Sequence, residues 1–160
     1  MIRPVKDSDT RQISDIYNHF VKNTIVTFDE EEVTDKEMSD YIQKVQEKYP
    51  WLVYEEQGAV AGYAYAGSWK SRCAYRYSVE TTIYLRPGEG GRGLGTQLYG
   101  ELIRQVREMG IHSAIGGIAL PNPASIRLHE KLGFQKIGHF REVGFKFDKW
   151  IDVGYWELIL

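Results

Sequence analysis

The chain carries a single cysteine, Cys73, in 160 residues. It closes no internal disulfide and supplies no cysteine-rich metal cluster, so a reducing setting such as the cytoplasm and a site without metal are expected. Long apolar runs are absent too. Nothing approaches the ~18 residues of a membrane span, and the first ten residues place charge and proline where a secretion signal needs an apolar core. Excess charge of one sign is also missing. Twenty Lys and Arg stand against 22 Asp and Glu, a net of −2, which gives no basic field for nucleic acid or an anionic membrane. Any anion must be held locally. No internal repeat or low-complexity stretch occurs, which excludes solenoids and long disordered tails. With 42% hydrophobic and 26% charged residues, residues 1–160 read as one ordinary globular domain.

Local signals place the elements. Residues 1–5 read as a strand, and Ile13, Ile16, Tyr17 and Phe20 recur at helical spacing after a capping run at 7–9. The Thr34-Asp35-Lys36-Glu37 sequence is a capping box that starts a second helix over about 35–48. Strand-like runs at 52–56 and 59–66 flank Gln57-Gly58, which predicts a hairpin. Residues 77–85 form a β-prone run ended by Arg86-Pro87-Gly88. Leu94, Leu98, Leu102, Val106 and Met109 then line one helical face, stopped by Gly110. A strand at 112–118, a helix at 123–132 and strands at 134–140 and 152–160 complete the order β-α-α-β-β-β-α-β-α-β-β. An α/β (α+β) fold follows, with a mixed sheet flanked by helices and one parallel β-α-β crossover.

The chemistry centres on the turn after residue 85. Between Leu85 and Thr96 lie five glycines, at a strand-to-helix junction where backbone N–H groups and an uncapped helix start converge. The natural guest is a phosphate or pyrophosphate, with Arg92 and Thr96 adding a cation and a hydroxyl. No Lys-Ser/Thr pair follows, which argues against a nucleoside triphosphatase loop. A Rossmann reading also suffers, because that loop follows the first strand of its fold. A plain surface turn stays open on the turn alone.

Glu80, in an apolar strand five residues before Leu85, is a candidate proton acceptor for an attacking amine. Its alternative is a solvated position on an alternating strand. Leu85 N–H is the candidate donor to a developing oxyanion. Arg72 and Arg76 flank Tyr75 near that strand and suit an acidic small molecule, while Phe28, Trp69, Phe145 and Trp150 are candidates to enclose an aliphatic stem. A solvated basic loop is the alternative for those charges. Cys73 has no partners for a covalent acyl step.

Gly93-Leu94-Gly95 after a β-run, Asn122-Pro123-Ala124-Ser125, and residues 128–134 (LHEKLGF) together resemble the GNAT superfamily of acetyl-CoA-dependent N-acetyltransferases. Residues 75–85 (YRYSVETTIYL), Leu120-Pro121-Asn122 and the stretch 144–156 are similar to its phosphinothricin and methionine sulfoximine acetyltransferase branch, and the likeness covers nearly the whole chain. Where the family loop usually opens on Gln or Arg, Gly90 stands here.

The resemblance implies acetyl-CoA as cosubstrate, with Ile83, Tyr84 and Leu85 along its pantetheine arm. It further implies that Gly91, Arg92, Gly93, Leu94, Gly95 and Thr96 hold its pyrophosphate, with Asn122 and Ser125 farther along. It implies Glu80 as the base, and His129 in proton delivery or substrate positioning. It implies an amino-acid-like acceptor such as phosphinothricin, methionine sulfoximine or methionine sulfone, and a homodimer in which Lys146 and Trp150 reach across. A non-catalytic coenzyme-A sensor and an acetyltransferase of peptide or protein amines remain open beside that reading.

Overall fold

The computed structural model describes residues 1–160. Seven strands and four helices follow the expected order: β1 (Ile2–Pro4), α1 (Thr10–Asn23), α2 (Asp35–Gln46), β2 (Trp51–Glu56), β3 (Ala59–Ser68), β4 (Ser78–Leu85), α3 (Leu94–Glu108), β5 (Ser113–Ala119), α4 (Pro123–Lys131), β6 (Gln135–Lys146) and β7 (Lys149–Ile159). They form one sheet in the order β1-β2-β3-β4-β5-β7-β6, antiparallel except at β4 and β5. The parallel pair is the one that needs a long crossover, and α3 supplies it. No helix is long and apolar enough to cross a membrane.

Local chemistry sets the element ends. Thr34 accepts from Glu37 N–H at 3.2 Å while the Glu37 carboxylate accepts from Thr34 N–H at 2.8 Å, the reciprocal box that opens α2. Gln57 and Gly58 both take positive φ, the twist a tight hairpin turn requires. The core lies on both faces of the central strands. Trp51 and Tyr63 pack beneath α1 and α2, while Leu98, Leu102 and Val106 of α3 are fully buried on the other face.

The last two strands correct the sequence boundaries. Strands were expected over 134–140 and 152–160. Instead β6 and β7 run on to a two-residue turn at Phe147-Asp148, both at positive φ. Phe147 is not a usual residue for a turn at positive φ, and the added length of β6 buries Gly144 and Lys146 where apolar side chains would be looked for, so no hydrophobic alternation marks it. The register shifts between Phe140 and Gly144, where Glu142 takes positive φ and its N–H donates to Asp152 Oδ1 at 2.8 Å.

Candidate active site

The site is a split in the sheet. β4 and β5 pair only from Ser78 with Ser113 to Glu80 with Ile115. Past Glu80, β4 stays with β3 as far as Leu85, while β5 stays with β7 as far as Ala119. Between them opens a cleft of about 290 Å³ lined by residues 80–84, by 117–119 and by the α1–α2 loop. Trp69 N–H donates to Ser78 O and Arg86 N–H to Ala61 O, so the antiparallel alternation aims the N–H groups of Ile83 and Leu85 away from β3, into the split.

Glu80 stands at the apex of the split and is half-buried. Loss of solvent raises its pKa, with Lys70 pulling the other way. Gly117 across the gap leaves room for it: a β-carbon there would lie 3.7 Å from Glu80 Oε1. Tyr155 of β7 shares this corner, and both burial and the Glu80 charge push its phenol up.

His129 of α4 is buried in the cleft wall. Its Nδ1 lies 2.8 Å from Ser125 O and its Nε2 3.0 Å from the Tyr99 hydroxyl, and burial lowers its pKa. Asn122 caps α4 by accepting from Ser125 N–H at 3.1 Å. Ile83, Tyr84, Asn122 and Ser125 line this cleft and also a second hollow of about 580 Å³, so the two form one groove.

The glycine turn forms the far end of that groove. Gly88, Gly91 and Gly93 take positive φ, and from Gly90 through Thr96 no backbone N–H donates to another protein atom. Converging free amides at a helix start favour an anion. Arg127 and Lys131 of α4 line the same hollow. The Arg92 side chain points elsewhere. Its guanidinium pairs with Glu56 at 3.1 Å and with Glu89, in a different hollow beside Met1, so only its backbone faces the turn. The leucine side chain of Leu94 is likewise buried, leaving its N–H as the part free to bind.

A family description of the acetyltransferase (GNAT) domain matches residues 2–154. The chain belongs to the GNAT acetyltransferases. It is 42% identical to a phosphinothricin N-acetyltransferase of Streptomyces viridochromogenes, covering 98% of this chain and 85% of the relative. It is 40% identical to an L-methionine sulfoximine/L-methionine sulfone acetyltransferase of Salmonella typhimurium, covering 99% and 94%. A phosphinothricin acetyltransferase of Sinorhizobium meliloti, solved in complex with acetyl-CoA, superposes with a TM-score of 0.96 at 36% identity, covering 100% of this chain and 88% of that one.

The expected acceptor residues of this acetyltransferase divide. Phe28 lies in the cleft, its ring pressed over Gly144 so closely that a β-carbon there would overlap it. Lys146 does not reach outward. It is 2% exposed and donates to Thr27 O at 2.8 Å, tying β6 to the loop that carries Phe28. Trp150 is 65% exposed on the hairpin and packs on Phe145. Arg72, Tyr75 and Arg76 sit on the exposed turn before β4, with Arg76 donating to Cys73 O and covering Tyr77, and none lines the cleft. Tyr155, Arg127 and Lys131 line the groove without having been named from the sequence. Each lies far in sequence from the glycine turn, and only the pairing of β5 with β7 and the packing of α4 bring them in.

Proposed function

We propose that this acetyltransferase moves acetyl from acetyl-CoA to the α-amino group of a small amino-acid-like acceptor, of the phosphinothricin, methionine sulfoximine or methionine sulfone type. The observation that carries the reading is the single groove joining the unpaired amides at 90–96 to the desolvated carboxylate of Glu80. The names of the relatives support the acceptor class.

The residues fit a diphosphate: free amides at a helix start, with Arg127 and Lys131 alongside. Ile83 and Leu85 offer strand-edge N–H groups to the arm that follows, and Asn122 and Ser125 flank it. When bound, acetyl-CoA supplies an activated acyl group. Glu80 accepts the proton of the attacking amine, and its raised pKa makes it a stronger base than a solvated carboxylate. Leu85 N–H, fixed by its place on β4, stabilises negative charge building on the acyl oxygen by about 3 kcal/mol. Phe28, held by Gly144 and Lys146, shields the cleft from water.

We also assign a homodimer in a reducing cytoplasm. The hairpin of β6 and β7 exposes Ile137, Phe140, Val143, Phe145, Phe147 and Trp150, an apolar surface suited to a second copy. The deciding experiment is release of free thiol from acetyl-CoA against a panel of amino acids, their sulfone and sulfoximine analogues, polyamines and peptides. Turnover with the amino-acid analogues is expected. Turnover only with peptides, or none with any acceptor, overturns the proposal, the second outcome in favour of a coenzyme-A sensor.

A further inference from the structure

A buried chain of hydrogen bonds runs from the sheet through α3 to α4, and none of the steps above uses it. Thr81 Oγ1 lies 2.7 Å from the Tyr99 hydroxyl, which lies 3.0 Å from His129 Nε2, and His129 Nδ1 lies 2.8 Å from Ser125 O. Thr81 and His129 are 4% exposed and Tyr99 is fully enclosed. Each group has its partner within the chain, so the direction of these bonds follows from the protons available.

The Ser125 carbonyl can only accept, so Nδ1 of His129 carries hydrogen. Burial favours the neutral ring, which has one N–H, so Nε2 is a lone pair and the Tyr99 hydroxyl donates to it. With that proton committed, Thr81 must donate to the Tyr99 oxygen, in preference to Ile115 O at 3.3 Å. The chain therefore runs one way, from Thr81 to Tyr99 to His129 to Ser125. Gly116 completes the seat, since a β-carbon there would overlap the imidazole.

We propose that Tyr99, backed by Thr81, is a positioning residue that fixes His129 as the neutral Nδ1–H imidazole and sets its ring as a rigid wall of the cleft. His129 then presents no N–H to a departing thiolate, and its work is shape and orientation. The kinetic part rests on the acetyl-transfer reading; the tautomer does not.

The test is a long-range proton–nitrogen correlation spectrum of histidine-labelled protein without substrate, from pH 6 to 9, paired with steady-state kinetics. Wild type should show the Nδ1–H pattern throughout. Tyr99→Phe should raise the pH at which His129 titrates, so that the doubly protonated pattern appears within the range, and lower kcat about tenfold with KM for acetyl-CoA within about twofold. Thr81→Val should move both readouts the same way, and Thr81→Ser should restore them. An Nε2–H pattern in wild type overturns the inference, as does a Tyr99→Phe protein with the wild-type spectrum and kcat. Should Tyr99→Phe not fold, the Thr81 pair decides alone, and a wild-type spectrum in Thr81→Val overturns it. A wrong tautomer leaves acetyl transfer standing, whereas absent turnover in the thiol-release assay removes acetyl transfer and leaves the tautomer.

Discussion

The imidazole of His129 fills the space that a β-carbon on Gly116 would need. Two consecutive elements, β5 and α4, thus meet at van der Waals contact through a missing side chain. Gly116→Ala should force the ring out of its seat, destabilise the fold by roughly 1–3 kcal/mol and lower kcat. Urea denaturation and steady-state kinetics check both, and an unchanged midpoint would show that the helix shifts freely.

Replacing Glu80 by Gln should lower kcat by about 10²–10⁴-fold near neutral pH while KM for acetyl-CoA changes little. A stability effect accompanies it. The folded pKa of Glu80 lies above its unfolded value, so its contribution is most favourable at low pH and is lost as pH rises through the folded pKa. Glu80→Gln should therefore be more stable than wild type at pH 7, with the difference shrinking toward pH 4. The same titration should appear in wild-type kcat/KM, rising with pH through a midpoint above that of a solvated glutamate.

The cations at the groove are separable by mutation. Arg92→Ala should leave KM for acetyl-CoA within about twofold, because its guanidinium already serves Glu56 and Glu89. Arg127→Ala with Lys131→Ala should raise that KM roughly tenfold, the equivalent of a ~1.4 kcal/mol contact, and leave acetyl-pantetheine, which lacks the diphosphate, nearly unaffected. The reverse ranking would return Arg92 to the binding site.

Lys146→Met keeps the apolar stem and deletes the donor to Thr27 O. The segment 24–34 should then become a preferred site of limited proteolysis, and KM for the acceptor should rise while KM for acetyl-CoA holds. If the segment resists protease as in wild type, Phe28 is held by its packing over Gly144 alone.

Short-range chemistry was legible in the residues. The Thr34 box, the Gln57-Gly58 turn and the strand–glycine–helix junction at 85–96 each depend on neighbours within a few positions, and each stands where the sequence put it. The same locality explains the misplaced ends of β6 and β7, since Phe147 is an unusual residue at positive φ and the buried positions of the added strand are Gly144 and Lys146, not apolar side chains. Side-chain destinations were harder. The resemblance implies that Lys146 reaches across to a second copy, yet it is buried and donates a hydrogen bond to the carbonyl of Thr27, far back in the chain.

The sequence by itself determined the elements, the place of the glycine turn and the strand bearing Glu80, because backbone propensity, capping and glycine conformation act over a turn or a strand. Only the tertiary structure decided that β4 and β5 part after Glu80, that Arg92 turns away while Arg127 and Lys131 turn in, and that Tyr99 reaches His129. Those outcomes depend on which distant groups compete for each donor and each space, and that competition exists only once the sheet and helices have packed.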